Sequence, residues 1–502
     1  MSRNILTIDV GHSSVTINIY ASDGRCAFSA EQQCPPVMEG DRAEQDPEQW
    51  RLAVAALIRR ATSEEPKEAA AIDAIGLTGA MRSFVLVDKG NNPLGPAILF
   101  QDRRADAQFE HIQSEISAAR LLSLTGQRLS PRSVPARLRW IAENEPDRLK
   151  ETCCILAPKD FIRLYLTGQA ATDPTDAAAF QLYSVRERKW HDALCTCASI
   201  SPELLPEVRN SAEIAGRLSP VRAMTLGLRS GIPVVVGAGE DAAFLSSGVS
   251  APNEASEHLA GSGSLRVMTE RLIISPTGGL EAGPAPVANS HVIGGTVLTA
   301  GIAIDWFLRN CSAIPPDADM TAELSRLLRE IAERKEISEA LFFPHLAGAT
   351  SPRWAPNSRG AFMGLSLSHT STDIFAAVIE GIAYSLQDIA MGMESLGVEI
   401  ERVCAMGRLG RQELLAGIRA DVYNKPIRMY DEVDPACYSA MLIAATAVGT
   451  FSNPLEANRK LRKLLWEVEP NRESAERYRI GFAGYRAAVA ELNKLWNPAA
   501  GR

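Results

Sequence analysis

No Gly-x-x-x-x-Gly-Lys-Ser/Thr run occurs anywhere in the 502 residues, which excludes a P-loop as the phosphate grip. His-Glu-x-x-His is also absent, and seven scattered histidines make a metal-hydrolase site a poor reading. The nine cysteines, an odd number, include Cys153-Cys154 and the pair Cys195/Cys197, yet no spacing resembles a zinc framework. A chain this long needs no disulfide staples, so reduced, packed thiols and a cytoplasmic setting are expected. The N-terminal apolar stretch is short and carries Asp9, so no secretory leader is expected. Residues 282–304 lack Asp, Glu, Lys and Arg, but Pro284, Pro286 and Gly294-Gly295 break them up. The apolar part of residues 436–451 falls short of the roughly 20 residues a bilayer span requires. No membrane partner is expected. A net charge of −8, from 52 basic and 60 acidic residues, argues against a nucleic-acid groove.

What is present is a pair of glycine-bearing hairpin signatures about half a chain apart. The first is Ile5-Leu-Thr-Ile-Asp-Val-Gly-His-Ser-Ser-Val-Thr-Ile-Asn-Ile-Tyr20 and the second His258-Leu-Ala-Gly-Ser-Gly-Ser-Leu-Arg-Val-Met268. In each, an apolar strand enters a tight Gly/Ser turn and a second strand follows at once. Small residues there let backbone N–H groups approach an anion. Two such turns suggest two similar units gripping one phosphate chain. Length points the same way, because about two to four domains are the prior for a chain of this size.

Strand–helix alternation around the hairpins favours two α/β units of similar plan with a cleft between them. Helices are expected at 49–63, 300–309, 321–334, 372–393, 412–423 and 436–451, with an amphipathic covering helix at 473–496. Strands are expected at 74–77, 83–87, 97–100, 232–236 and 401–406. Residues 250–256 read as a polar linker, which puts the boundary between residues 1–248 and 249–502.

Four groups of residues carry the chemistry. Asp9 ends a strand and is followed by Gly11 and Ser13-Ser14. It reads either as a cap of the hairpin turn or as a carboxylate that orients a metal-bound water beside phosphates. Asp241 ends the segment Gly237-Ala-Gly-Glu-Asp241 after a strand. It is either a helix N-cap or a base that takes the proton of an attacking hydroxyl. Glu240 beside it is expected to raise the base's pKa if both face the cleft. Arg82, Asp102 and Arg104 sit at the ends of two further strands, as salt-bridge partners or as contacts to a polyhydroxylated ligand. Finally, Gly237-Ala-Gly-Glu-Asp-Ala242 matches a relaxed dinucleotide fingerprint. The acid that motif needs about 20 residues later would have to come from a second strand, and that stretch reads as linker.

Together these segments resemble the FGGY carbohydrate kinase family, with xylulokinase-like members nearest, over nearly the whole chain. Asp9-Val-Gly-His-Ser13 is similar to the family's Asp-x-Gly-Thr-Ser, and Gly79-Ala-Met-Arg82 falls at Gly-Gln-Met-His. Phe100-Gln-Asp-Arg-Arg104 resembles Trp-Gln-Asp-Arg-Arg, and Lys159-Asp-Phe161, Leu166-Thr-Gly168 and Thr172-Asp-Pro-Thr-Asp-Ala177 follow in order. Phe343-Pro-His-Leu-Ala-Gly348, Arg359-Gly-Ala-Phe-Met-Gly-Leu365 and Val378-Ile-Glu-Gly-Ile-Ala383 resemble the second-domain signature.

The resemblance implies two ribonuclease-H-like (actin-type ATPase) α/β domains around a central interdomain cleft. It implies ATP-dependent phosphorylation of a small sugar or polyol, a ketopentose such as xylulose or a relative, with Mg²⁺. A homodimer is expected only because homodimers are common, with no residue-level argument for it. Asp241 would be the catalytic base and a second metal contact. Asp9 would hold Mg²⁺ through water. The sugar would meet Ala80, Met81, Arg82, Asp102 and Asp241. The nucleotide would meet Gly11, His12, Ser13, Ser14, Gly261, Ser262, Gly263, Ser264, Gly407 and Arg408. The chain departs from the family at Thr16, where relatives carry Lys or Arg, and at Ala405-Met-Gly-Arg-Leu-Gly410, where they carry Gly-Gly-Gly-Ala-x-Ser. Asp434-Pro-Ala-Cys-Tyr-Ser439 likewise stands in for Glu-x-x-Ala-x-Gly. Those departures motivate an alternative, a sugar- or nucleotide-binding homologue with weakened transfer. A sugar-independent ATPase is a third reading, which the 81–82 and 100–104 segments speak against.

Overall fold

The computed structural model describes residues 3–311, 320–332, 334 and 337–496. Two mixed sheets organise it. The first has six strands, and its centre is the hairpin Asn4–Val10 and Ser14–Tyr20, with Cys26–Gln33 continuing the meander. Ile72–Gly79 adds parallel to Asn4–Val10 on the other side, then Pro233–Val235, and Ile214–Arg217 closes the edge antiparallel. Five of the seven residues of Asn4–Val10 that come first are buried without interruption, as a strand covered on both faces requires.

The second sheet, of seven strands, repeats that plan. Glu254–Leu259 and Gly263–Thr269 form the hairpin, and His291–Val297 continues it, with Glu281–Pro284 beyond. Arg402–Met406 adds parallel to Glu254–Leu259, then Ile427–Tyr430 parallel, and Leu464–Val468 closes antiparallel. The duplication inferred from the two hairpins is therefore a duplication of sheet order.

The expected helices form as Pro47–Glu64, Gly301–Asn310, Met320–Ala332, Ser371–Glu394, Glu413–Tyr423, Pro435–Ala447 and Arg472–Trp496. Ser371–Glu394 is long and apolar enough to cross a membrane by composition, but it lies in the core of the second sheet. Two expectations change. Residues 250–256 are not all linker, because Glu254 opens a strand and is buried, its carboxylate accepting from the Ser250 and Ala251 N–H groups at 2.6 and 3.1 Å. Arg402 and Arg428 face the same carboxylate at 3.7 and 3.9 Å. The strand 232–236 ends not in a dinucleotide-binding turn but in the 3₁₀ helix Glu240–Ser247, and the next strand belongs to the other sheet.

The helix Pro435–Ala447 joins the halves. It packs in one cluster with Ile5, Tyr20, Ala74 and Val235 of the first sheet and with Met268 and Cys404 of the second. Phe244 and Leu245 of the 3₁₀ helix belong to the same cluster. The approach is close: a Cβ on Gly76 would lie 2.6 Å from the Ala440 carbonyl oxygen and 3.2 Å from Ala444 Cβ. The obstacle is backbone, which cannot rotate away. Gly76→Val is expected to destabilise the protein by about 1–3 kcal/mol, the usual range for overpacking, in urea unfolding monitored by circular dichroism. Wild-type stability in that variant would mean the helix is free to shift.

Candidate active site

Two cavities meet at residues 240–244. The smaller, of about 550 Å³, is lined by Met81, Gln127, Thr175, Asp241, Arg266 and Glu281 among others. The larger, of about 890 Å³, is lined by Asp9, Glu240, Asp241, Ser264, Arg266 and Asp434, with His258 and Met406. Asp241, Phe244 and Arg266 belong to both linings.

Period-two alternation explains who faces the cleft. Asp9 lies opposite Thr16 and Thr78 in the first sheet, and His258 lies opposite Ser264 and Met406 in the second. The turn between the first two strands is tight, with Gly11 N–H donating to Ser14 O at 2.9 Å. The second turn is closed by Ala260 N–H to Ser262 O at 2.9 Å, and Gly301 and Ile302 N–H groups donate to Ala260 and Gly261 carbonyls. The helix Gly301–Asn310 therefore begins at this turn. At 405–410, Leu409 and Gly410 N–H groups donate to Leu259 O at 3.1 and 3.3 Å, and Arg408 is exposed.

The carboxylates of the cleft do not share one fate. Glu240 pairs with His12 Nε2 at 3.0 Å and accepts from Met81 N–H at 3.2 Å. Burial would lower the His12 imidazole, but the Glu240 hydrogen bond and charge, with Asp9, raise it overall. Asp241 Oδ2 pairs instead with Arg266 Nη1 at 3.1 Å, and its N–H donates to Met81 Sδ. Desolvation would raise the Asp241 carboxyl, yet Arg266 and then Arg82 outweigh it and hold it below the usual carboxylate range. The expectation that Glu240 raises this group is thereby corrected. Glu240 is turned to His12, and two guanidiniums dominate at Asp241. Asp9 has no such counter-ion. Burial, then Glu240 and Asp434, push its carboxyl from 3.8 to about 7, against a smaller opposing pull from His12.

On the side of the smaller cavity, Met81 is buried and lines it, while Ala80 N–H donates to Val10 O at 2.8 Å. Arg82 adopts φ of 59°, and its guanidinium reaches Gln127 Oε1 at 3.0 Å and Glu281 Oε1 at 3.7 Å. Asp102 is placed differently from the sequence expectation. Its carboxylate is fully buried, accepts from Ala43 N–H at 2.8 Å and from Arg104 Nη2 at 2.7 Å, and lines neither cavity. Arg104 in turn pairs with Glu44 at 2.5 Å. Asp102 and Arg104 thus form a buried structural pair rather than the surface bridge or ligand contact expected of them.

A fully buried network stands behind the Asp241 loop. Lys159 Nζ contacts Asp160, Asp173 and Asp176 at 2.6, 3.0 and 3.0 Å, and Thr175 Oγ1 accepts from Gly239 N–H at 2.9 Å. The sequence showed these residues only as separate segments of the family resemblance, because the 159–160 pair and the 173–176 turn meet only in the fold.

Residues 4–246 match the model of the N-terminal domain of the FGGY family of carbohydrate kinases, and residues 261–448 match that of its C-terminal domain. The chain belongs to the FGGY family of carbohydrate kinases. It is 27% identical over 477 residues to a xylulose kinase of Staphylococcus xylosus, covering 94% of this chain and 97% of that one. To a gluconokinase of Bacillus subtilis it is 25% identical over 489 residues, covering 95% and 94%. A solved structure described as a xyloylose kinase from Brucella ovis superposes with a TM-score of 0.90 at 26% identity, covering 98% of this chain and all of that one. This FGGY chain is a carbohydrate kinase, with the two-domain α/β fold of the family.

The raised Asp9 carboxyl has a measurable consequence. A group whose folded pKa of about 7 exceeds its unfolded 3.8 supports the fold below pH 4 and loses that contribution as pH rises through 7. Asp9→Asn removes the ionisation. Its stability relative to wild type, measured without ligand by urea titration, is therefore expected to be greater at pH 8 than at pH 5. An equal difference at both pH values would show that Asp9 is not held protonated.

Proposed function

We propose that this FGGY kinase transfers the γ-phosphoryl group of ATP to a hydroxyl of a small sugar or polyol, a ketopentose such as xylulose or a related compound. One observation carries the reading: Asp241 lines the smaller cavity and the carboxylate-rich cleft at once. A hydroxyl seated among Met81, Arg82, Gln127 and Thr175 meets Asp241 on one side, and a phosphate chain in the cleft meets it on the other.

In this reading Asp241 is the general base. Its carboxyl, held charged by Arg266, accepts the hydroxyl proton as the new O–P bond forms. Such a low-pKa acceptor suits phosphoryl transfer, where the transition state is loose and positioning outweighs basicity. Backbone amides of 11–14 and 261–264 cradle phosphates, and Gly407-Arg408 lies beside the nucleotide. Ala80 holds the Met81-Arg82 turn against Val10. Asp102 supports the sugar side through Arg104 rather than by touching the ligand.

The cleft suits Mg²⁺. Its acids offer hard oxygen donors, and Asp9 is left without a counter-ion. Among the described residues no three such groups stand close enough to enclose a metal. Asp9, with Asp241 as a second contact, would hold it through water. Bound there, Mg²⁺ would neutralise phosphate charge. We place the division of the two units at 1–248 and 249–502, next to the 3₁₀ helix Glu240–Ser247.

The names of the relatives leave the substrate between a neutral ketose and a sugar acid, as a xylulose kinase and a gluconokinase both align along the whole chain. A second reading, a binding protein with weakened transfer, draws on the two glycines missing at 405–410. Coupled ADP release with Mg-ATP, across ketoses, aldoses, polyols and aldonates, tests both. Sugar-dependent release is expected, and in Asp241→Asn kcat is expected to fall by at least about 10²-fold, the low end for loss of a general base. Release absent with every compound, from folded protein, would favour the binding reading.

A further inference from the structure

Arg266 occupies a position that no part of the sequence reading assigned. Its guanidinium stands in the wall common to the small cavity and the cleft. The strand Gly263–Thr269 alternates, so Ser264 and Arg266 face one way while Leu265 and Val267 enter the core. The neighbours across the sheet are Ser256 on one side and Gly294 on the other. Gly294 is required there, since a Cβ on it would lie 2.8 Å from Arg266 Cγ and 2.4 Å from Leu265 O. The side chain is thus built into a groove of small residues, with 22% of it exposed, and ends 3.1 Å from Asp241.

Its surroundings define what it can do. Asp9, Glu240, Asp241 and Asp434 line the cleft, and Arg266 is the sole Lys or Arg among the lining residues. His258 lies there too, but burial and the Arg266 charge lower its pKa, so it adds no fixed positive charge. Phosphoryl transfer spreads negative charge over three equatorial oxygens, and fixed donors aimed at that charge supply much of the acceleration. Arg266 is the protein group placed for this, between the acceptor cavity and the donor cleft. Its planar fork offers two parallel N–H donors to two phosphoryl oxygens, a fixed geometry that a lysine ammonium lacks.

We propose that Arg266 is a catalytic residue of the transfer step: it rests on Asp241 in the free enzyme and moves onto the transferring phosphoryl group when the acceptor hydroxyl takes its place on that carboxylate. This rests on the kinase reading above. In the step, the hydroxyl oxygen bonds to the γ-phosphorus while the bond from that phosphorus to the β–γ bridging oxygen breaks. ADP leaves with the electron pair, the hydroxyl proton passes to Asp241, and Arg266 holds the moving phosphoryl oxygens throughout. The ion pair thereby links the two sheets in the free enzyme and releases the base only when a hydroxyl competes for it.

The test compares full-length wild type with Arg266→Gln and Arg266→Lys by calorimetry, using ADP alone and ADP with aluminium fluoride and Mg²⁺ as a mimic of the transferring group. Kinetics with the best acceptor of the panel accompany it. Arg266→Gln is expected to bind ADP within about threefold of wild type, while losing about 10²-fold or more of the gain from aluminium fluoride and a similar factor in kcat, the scale for one transition-state donor. The acceptor KM should change little. Undiminished mimic binding, or an unchanged kcat with a raised acceptor KM, would overturn the proposal; the latter would make Arg266 a sugar-binding group. Should Arg266→Gln fail to bind ADP, Arg266→Lys decides, with a fall of about tenfold or more expected from loss of the fork and no fall counting against it. If wild type phosphorylates no acceptor, the kinase reading fails, and the aluminium fluoride comparison still decides the role of Arg266.

Discussion

The contact between Gly76 and the carbonyl of Ala440 sets the frame for everything in the cleft. Position 440 follows the last strand of the first sheet by more than two hundred residues, yet its helix lies against that sheet with no room for a Cβ between them. The same helix is capped by Asp434, whose side chain accepts from Cys437 N–H at 2.7 Å and also lines the cleft. The helix is therefore both the brace between the sheets and the holder of one of the four carboxylates. The 3₁₀ helix Glu240–Ser247 crosses beside it and is tied down by Asn458 Nδ2, which donates to Leu245 O and Val249 O at 2.6 and 2.9 Å. Two connections packed on each other thus fix the spacing of Asp9, Glu240, Asp241 and Asp434. A shift of the helix would move all of these together, because their supports are shared.

Four carboxylates in one cleft would repel one another, and the fold manages this unevenly. His12 takes Glu240, Arg266 takes Asp241, and the Cys437 N–H at the helix start takes Asp434. Burial first, and then the charges of Glu240 and Asp434, push the Asp9 carboxyl up to about 7. A cleft with this balance attracts cations more than bare anions.

Much of the architecture was legible in the sequence because its signals are local. Hairpins announce themselves by alternation around a Gly/Ser turn, and helices such as Ser371–Glu394 by apolar periodicity. The duplication of the plan followed from two such hairpins. What failed was what depends on partners distant in sequence. Residues 250–256 looked like a linker because Ser250, Asn253, Glu254 and Ser256 are polar, but Glu254 is buried against Arg402 and Arg428, as Glu257 just beyond is against Arg419 at 2.9 Å. Asp102 looked like a ligand group because its pairing with Arg104 and the Ala43 amide needs a third strand to be seen. Glu240 and Asp241 are adjacent, so sequence treats them as a coupled pair. Their backbone turns them to different partners on different sheets.

Arg266 shows how far local rules could have gone. It lies two residues after Ser264, so period-two alternation alone puts it on the face of the second hairpin that carries a candidate phosphate contact. The register makes the two hairpins comparable: Asp9 opposite Thr16 in the first corresponds to His258 opposite Ser264 in the second, and two residues on Asn18 corresponds to Arg266. At equivalent points of one plan, then, the first sheet presents a carboxylate and no cation, and the second a cation and no carboxylate. The proposed base, Asp241, lies on neither hairpin but on the 3₁₀ helix Glu240–Ser247, where it pairs with Arg266. Neither sheet holds both groups, so the site exists only where the two sheets are braced together.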